Sequence, residues 1–366
     1  MTLRAGIIGG GFMGSVHARS IRAARGEVYG VATASPAGGV QAAARLGATR
    51  SFGSIDVLLD SPDVDIVHIC TPNLTHVDLA TRALRAGKNV VCEKPLATTV
   101  DDASALASLA HEMGSIAAVP FVYRFHPMVR HAQDRFASGV AGRLFSIQGA
   151  YLQDWMASAS ITDWRVDSAH GGPSRALADI GSHLIDLIEF VTGERLVRVE
   201  ATLRTVHPIR SGLTVDTEDM AAILVETESG AIGTLMVTQV AAGRKNALTF
   251  ELSASEETLR FNQEAPEELW VGRTSGSQLL LREPAQLDGD AARLSTAPAG
   301  HPLGYLDAFA AFVADVYDAV EGNPHAGTPL FQDGLRAVEI TSAILESSRS
   351  RAVVEVPTFK EFVTTT

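Results

Sequence analysis

Three stretches of this chain hold residues whose types and spacing point to chemistry. The first is Gly6-Ile-Ile-Gly-Gly-Gly-Phe-Met-Gly14, in which Gly9, Gly11 and Gly14 stand at G-x-G-x-x-G spacing. It follows an apolar run (Leu3, Ala5, Ile7, Ile8) and opens a helical pattern through Ala18 and Ile21. In that context Gly9 allows a tight turn out of a strand, Gly11 lets a pyrophosphate approach the backbone, and Gly14 lets helix and strand pack closely. The phosphates then meet the N–H groups and positive dipole end of the helix, beside Phe12 and Met13. The reading is a dinucleotide site; a glycine-rich turn without a ligand is the alternative.

The second stretch, Glu93-Lys94-Pro95, ends the apolar run Asn89-Val-Val-Cys92. Most lysines are solvated surface charges. Lys94 instead lies at the carboxyl end of a core strand, and Pro95 biases it towards extended backbone. Loops at that edge of an α/β sheet carry ligands and function. The same edge receives Thr71, Pro72 and Asn73, which break the run Asp65-Ile-Val-His-Ile-Cys70, with His76 opening the next helix. These residues are candidates to line the cofactor. After the second strand (residues 28–33) an acidic residue often holds the ribose 2′-hydroxyl. Here Thr33, Ala34 and Ser35 stand in its place, and no Arg or Lys comes before Arg45 to hold a 2′-phosphate. The cofactor is therefore NAD or NADP, with the choice open.

The third stretch, residues 177–187, reads as a helix carrying Asp179, His183 and Asp186. Asp179 and His183 are i and i+4, so they share a face. A carboxylate beside an imidazole is an acid–base arrangement, because the carboxylate orients the ring and tunes its pKa. Three plainer readings compete. Asp179 could be an N-cap, His183 a satisfied core histidine, or the pair half of a metal site. No further His or Cys has ligand spacing nearby, so no metal is expected.

Strand runs alternate with helical stretches as far as residue 122, the signature of a doubly wound, mostly parallel sheet. The expected strands include residues 28–33, 65–70, 89–92 and 116–122. The rhythm then changes to long β-rich runs: residues 144–153, 196–203, 219–226, 232–240 and 247–253. They read as a large, mostly antiparallel sheet. The fold class is thus an α/β dinucleotide-binding domain over residues 1–123, followed by an α+β substrate-binding and oligomerisation domain over residues 124–366. Two of the three tryptophans cluster in Tyr151-Leu-Gln153-Asp-Trp155 and Asp163-Trp164-Arg165. Aromatic faces beside amide and guanidinium groups suit a sugar; an aromatic core with a surface arginine is the alternative.

The 366 residues are enough for two cored domains, and 46% hydrophobic with 20% charged residues is ordinary for a globular enzyme. Thirty basic against 42 acidic side chains give a formal charge of -12, which argues against nucleic acid or an anionic membrane as partner. No signal peptide or membrane-spanning run is visible. Cys70 and Cys92, the only cysteines, read as buried reduced thiols of a cytoplasmic protein.

The series G-x-G-x-x-G, Cys70-Thr-Pro-Asn-x-x-His76, Glu93-Lys-Pro95 and Tyr123-Arg-Phe-x-Pro127 resembles the Gfo/Idh/MocA oxidoreductases, over nearly the whole chain. That family includes glucose–fructose oxidoreductase, inositol dehydrogenases and many sugar dehydrogenases. The resemblance implies that Glu93 and Lys94 face the nicotinamide end, that Lys94 is catalytic, and that the substrate pocket lies between the two domains. Asp179-x-Gly-x-His183-x-x-Asp186 matches the family's second-domain motif, so by resemblance Asp179 and His183 join Lys94, with Asp186 structural. Val122, Tyr123, Arg124, Gln153, Trp155, Trp164 and Arg165 are the candidate substrate residues. The Gln153-Asp-Trp155 stretch is similar to a subgroup acting on pyranoses such as levoglucosan. Pro120, Val122 and Pro173-Ser-Arg175 depart from the usual family residues beside the pocket, so a substrate does not carry over.

The expectation is an NAD(P)-dependent dehydrogenase acting on a secondary hydroxyl, or its ketone, of a sugar or cyclitol. His183 would take the hydroxyl proton, Lys94 would stabilise alkoxide charge and lower the pKa of His183, and Asp179 would position the hydroxyl and the base. A titrating group near neutrality is expected from an imidazole base. The alternatives are a dinucleotide-binding sensor without turnover, or a tight-cofactor glycosidase or epimerase using transient oxidation. The family commonly forms homodimers or homotetramers.

Overall fold

In the computed structural model, which describes residues 2–357, two large sheets and one short two-stranded pair share the described residues. Among the described residues the first sheet has the strands β1 (Arg4–Ile8), β2 (Glu27–Ala32), β3 (Arg50–Ser51), β4 (Ile66–Ile69), β5 (Asn89–Cys92) and β6 (Ala117–Ala118). They run parallel in the order β3-β2-β1-β4-β5-β6. The central strands are mostly apolar because helices cover both faces. Those helices are α1 (Phe12–Ala23), α2 (Pro36–Leu46), α3 (Ile55–Leu59), α4 (His76–Arg85) and α5 (Val100–Met113). Their starts are set locally: Ser35, Ser54 and Thr99 each accept a backbone N–H as N-caps of α2, α3 and α5. The order reverses between β1 and β4, and the loops after β1, β4 and β5 gather at that switch point.

The expected strand over residues 116–122 shrinks to β6. Pro120 offers no N–H for the ladder. Val119 donates its N–H to Pro329 O (3.1 Å), and Ala118 bridges Leu330, so the chain leaves the sheet there. Residues Val122–Phe125 form a 3-10 turn leading into α6 (Pro127–Ala137).

The second part holds β7 (Leu144–Leu152), α7 (Ser168–Gly171), α8 (Ser182–Thr192), β8 (Leu196–Arg204) and the short pair β9 (Ile209–Arg210) and β10 (Leu213–Thr214). Then come β11 (Met220–Thr227), β12 (Ile232–Thr238), β13 (Ala247–Ala254), β14 (Thr258–Asn262), β15 (Glu268–Arg273) and β16 (Gly276–Leu281). The chain continues with α9 (Gly289–Leu294), α10 (Tyr305–Val320), α11 (Phe331–Ser350) and β17 (Val354–Glu355). Nine of these strands form one sheet in the order β16-β15-β14-β13-β7-β12-β11-β8-β17, antiparallel except for the parallel β7–β12 pair. Ile147, Leu235, Phe250 and Leu252 pack one face on Leu184 and Ile188 of α8. Leu224, Ile232 and Met236 are exposed.

Helices α10 and α11 return to the first sheet. Phe309, Phe312, Val316 and Tyr317 share a core with Ile7, Ile21 and Val31, and Phe331 and Leu335 share one with Leu96 and Ala103. The wall facing the β5 loop is thereby built by distant sequence.

Candidate active site

The glycine loop is shaped for a group it must hold closely. Gly9 has φ +104°, and a Cβ there would sit 2.5 Å from Cys70 O. A Cβ at Gly14 would sit 2.5 Å from Gly9 O, so α1 presses directly on the loop leaving β1. A Cβ at Gly11, by contrast, would meet nothing within 4 Å: the space before the helix is open. Helix α1 has no side-chain cap and no acid in its first turn, so its N–H groups remain available to an anion. Phe12, 77% exposed, stands at this mouth. These features fit a dinucleotide pyrophosphate. The hydroxyls near the end of β2 are engaged locally: Thr33 Oγ1 donates to Ser35 O (2.9 Å), and Ser35 Oγ accepts from Gly38 N (3.2 Å).

From this loop a cleft of about 830 Å³ runs to the second part of the chain. It is lined by Gly9, Gly11, Phe12, Met13, Thr71, Pro72, Asn73, Glu93, Lys94, Val122, Tyr123, Gln153, Trp164, Arg165, Asp179 and His183. Sixteen residues singled out from widely separated stretches thus meet in one space.

Lys94 is the centre of that space. Its Nζ donates to Asp179 Oδ1 (2.6 Å) and to Asp179 O (2.7 Å). Asp179 sits in a widened π turn, Leu177–Gly181, ahead of α8, so the expected continuous helix is offset by one turn of a different pitch. Such turns re-aim functional groups. Burial pushes the Asp179 carboxyl up, but Lys94 and Arg165 outweigh it and hold it below its ordinary value. Gln239 Nε2 donates to the other oxygen, Asp179 Oδ2 (2.7 Å).

His183 is buried beside this pair. Its ring meets Tyr123 edge-on (centroids 5.1 Å) and Phe121 likewise (5.7 Å). Burial, and then the Lys94 charge, lower its pKa from 6.5 to about 3. The ring is therefore neutral over the ordinary working range. Its Nδ1 is buried with no partner among the described residues, so Asp179 does not orient it through a hydrogen bond as the i, i+4 spacing suggested. Asp179 orients Lys94 instead.

The far wall is a closed hydrogen-bond ring. Tyr123 and Tyr151 hydroxyls lie 2.6 Å apart, Tyr151 donates to Asn246 Oδ1 (2.7 Å), and Asn246 Nδ2 donates to Tyr123 OH (3.1 Å). Gln153 Nε2 also donates to Asn246 Oδ1 (2.8 Å). Arg165 lies over Trp164 (4.2 Å to the ring centroid) and pairs with Asp163 (3.0 Å). Lys245 at the rim pairs with Asp154 (2.6 Å). Sequence reasoning missed Gln239, Asn246 and Tyr305. Gln239 and Asn246 lie 60 or more residues from Asp179 and Tyr123, which they bond, and Tyr305 lines the cleft from the start of α10; none carries a local motif.

Other expected site residues stand elsewhere. Arg124 turns away from the cleft into a buried cluster: Nε donates to Asp186 Oδ2 (2.8 Å), and Nη2 reaches Asp186 Oδ1 and Asp333 Oδ1. A buried guanidinium needs carboxylates, and Asp186 and Asp333 supply them here. Trp155 packs on Met156, Val166 and Val215 rather than on the cleft. His76 places its ring between Pro95 O (2.8 Å) and Thr71 O (2.9 Å), bracing the two loops from behind. Gly14, Thr33, Ala34 and Ser35 lie outside the lining set, Gly14 by its packing role and the others beyond the glycine loop.

A family model described as "Oxidoreductase family, NAD-binding Rossmann fold" matches residues 3–121, and the GFO/IDH/MocA C-terminal domain model matches residues 129–260. The chain belongs to the Gfo/Idh/MocA oxidoreductase family. Within that family it is 33% identical to levoglucosan dehydrogenase of Pseudarthrobacter phenanthrenivorans over 97% of this chain and 98% of the relative. It is 32% identical to inositol 2-dehydrogenase of Rhizobium meliloti over 63% of this chain and 67% of the relative. A solved levoglucosan dehydrogenase in complex with NADH and levoglucosan superposes with TM-score 0.91 at 32% identity, covering 98% of this chain and all of that one (100%). The family's NAD-binding Rossmann domain is therefore the one that carries the glycine loop and Lys94.

Proposed function

We propose that this protein is an NAD(P)-dependent dehydrogenase that oxidises a secondary hydroxyl of an uncharged sugar or cyclitol, or reduces the matching ketone. The observation that carries the reading is the convergence of Lys94, Asp179 and His183 in a cleft whose other end is the glycine loop. The similarity to a levoglucosan dehydrogenase and an inositol dehydrogenase supports a neutral polyol.

The nicotinamide cofactor, when bound, supplies the hydride acceptor. The residues of this chain do the rest. Gly9 to Gly11 and the start of α1 hold the pyrophosphate. Lys94, fixed by Asp179, places an ammonium where the substrate oxygen gains negative charge. His183, neutral at the working pH, takes the hydroxyl proton as the carbinol hydride leaves. The Tyr123–Tyr151–Asn246 ring fixes donors and acceptors for the other hydroxyls, while Trp164 offers an aromatic face to the C–H side.

Charge bookkeeping favours a neutral substrate. Each cation lining the cleft already faces a carboxylate: Lys94 with Asp179, Arg165 with Asp163, Lys245 with Asp154. Among the described residues none lining the cleft is left for a phosphate or carboxylate on the substrate. A cytoplasmic setting accords with the unpaired thiols Cys70 and Cys92. A homodimer or homotetramer would cover the exposed Leu224, Ile232 and Met236 on the second sheet. The test is nicotinamide reduction with a panel of neutral sugars and inositols, run beside their phosphates and uronates. Turnover confined to neutral members is expected; turnover only with charged ones would overturn the substrate class.

A further inference from the structure

Behind the cleft, on the side away from substrate, a line of buried polar groups crosses the first domain. Tyr317 OH of α10 lies 3.1 Å from His68 Nε2 of β4. His68 Nδ1 lies 2.8 Å from His17 Nδ1 of α1, and His17 Nε2 lies 2.9 Å from Glu93 Oε1. Glu93 lines the cleft, and its other oxygen, Oε2, accepts the backbone N–H of Lys94 at 3.3 Å. His17 and His68 are fully buried, and Tyr317 and Glu93 nearly so. None of these partners is needed to cap a helix or complete a ladder.

With His17 neutral, the donor and acceptor counts fix the direction of this line. An ionised Glu93 can only accept, so His17 must carry its proton on Nε2. A neutral His17 then accepts at Nδ1, His68 donates from Nδ1, and His68 Nε2 accepts from the Tyr317 hydroxyl. Burial and the neighbouring His17 keep His68 far below its ordinary pKa, hence neutral. Every group is then satisfied once, and the only charge is on Glu93. The opposite direction would require either a protonated Glu93 or a doubly protonated His17, and each would cancel the isolated negative charge. A buried carboxylate normally takes up a proton; here the His17 hydrogen bond, with the Lys94 ammonium nearby, outweighs burial and holds Glu93 below its usual value.

We propose that His17, His68 and Tyr317 act as positioning residues that keep Glu93 ionised beneath the nicotinamide end of the cleft, and that this fixed negative charge makes the protein prefer oxidised over reduced cofactor. The inference rests on the cofactor reading above. An oxidised nicotinamide ring is cationic and the reduced ring is neutral, so a nearby carboxylate binds the two unequally. It therefore changes a ratio of affinities, which a purely structural role would leave alone.

The test is the ratio of NAD⁺ to NADH dissociation constants, measured by calorimetry for NAD⁺ and by protein-to-nucleotide fluorescence transfer for NADH. Four proteins are compared: wild type, Glu93→Gln, His17→Asn and the double variant. Glu93→Gln is expected to lower the preference for NAD⁺ by about tenfold, from one charge in a partly desolvated site. His17→Asn is expected to lower it in the same direction, and the double variant no further than Glu93→Gln alone, because His17 acts through Glu93. Tyr317→Phe, which keeps the ring packing, gives a smaller fall in the same direction and serves if His17→Asn does not fold. An unchanged ratio in Glu93→Gln, or additive losses in the double variant, would overturn the inference. Wild-type protein that binds neither nucleotide would instead remove the cofactor reading on which it stands.

Discussion

Lys94 Nζ and Asp179 Oδ1 stand 2.6 Å apart, although 85 residues separate them and each belongs to a different sheet system. Lys94 extends from the loop after β5, and Asp179 from the π turn before α8. The pair therefore closes the cleft and defines its chemistry at once. Both side chains are only 15% exposed, so their interaction is screened far less than a surface pair.

Replacing Lys94 by Met removes the ammonium and leaves Asp179 without its main partner. We expect kcat to fall by about two to three orders of magnitude, the range seen when one donor to a developing oxyanion is lost. Cofactor dissociation constants should change by less than about threefold, since the pyrophosphate cradle is untouched. Stopped-flow turnover beside nucleotide titration separates the two. A loss confined to nucleotide binding would contradict the role given to Lys94.

The sequence alone suggests a base titrating near neutrality; the structure moves it. With a pKa lowered from 6.5 to about 3, His183 stays unprotonated over the usual working range. The oxidation rate should therefore show no acid limb from this group between about pH 5 and 8. In Lys94→Met the second cause of the shift is gone, and an acid limb should move up towards neutrality. A wild-type limb near pH 6.5 that disappears in His183→Asn would show that the ring is not neutralised as described.

The same shift bears on stability. The unfolded chain binds a proton on His183 below its ordinary 6.5, whereas the folded chain does so only near 3. Between these values the unfolded state holds more protons, so stability falls as pH falls from about 6.5 towards 3. His126, lowered by burial to about 4, acts in the same direction. Urea midpoints measured across this range should decline with acidification in wild type and decline less steeply in His183→Asn.

Arg124 provides a contrast between holding the fold and doing chemistry. It is 8% exposed in its side chain and serves Asp186 and Asp333 together. Arg124→Met would strand the Asp186 carboxylate in the interior, at a cost of about 3–5 kcal/mol. We expect a clear loss in chemical denaturation. The surviving folded fraction should retain kcat within about threefold, because the cluster does not face the cleft.

Arg45 is the cation that bears on cofactor choice. Its Nη2 would lie 3.4 Å from a Cβ placed on Gly10, at the end of the loop where Thr33 also stands. No carboxylate follows β2 to repel a 2′-phosphate. Arg45→Ala is expected to weaken NADP by about tenfold while leaving NAD within about twofold, the size of one exposed charge-assisted contact. Equal weakening of both nucleotides would assign Arg45 to the pyrophosphate instead.

Much of this was legible in the residues. The glycine spacing, the loop after β4 and the Glu93-Lys94 step are local signals, each tied to a strand end, and the structure gathers them at one switch point. The Asp179–His183 spacing correctly put both side chains on the cleft. It mis-stated their relation, because a π turn changes how side chains stack along a helix. Arg124 and Trp155 were misplaced for a related reason: a side chain beside a motif has the motif's sequence position but not its direction. Helix α2 and strands β14 to β16 carry weaker patterns, and were passed over. Gln239 and Asn246 are polar groups at strand ends, whose partners arrive only through packing of distant elements.

The most direct test of the central claim is transfer of deuterium from a neutral polyol, labelled at its carbinol carbons, to oxidised nicotinamide on the wild-type protein. Mass spectrometry of the recovered nucleotide reads the result. We expect one deuterium in the reduced nicotinamide per turnover, with the labelled nucleotide formed about two to three orders of magnitude more slowly by Lys94→Met. Nucleotide that binds tightly yet never acquires label, across the polyols tested, would contradict a dehydrogenase and leave a binding protein in its place.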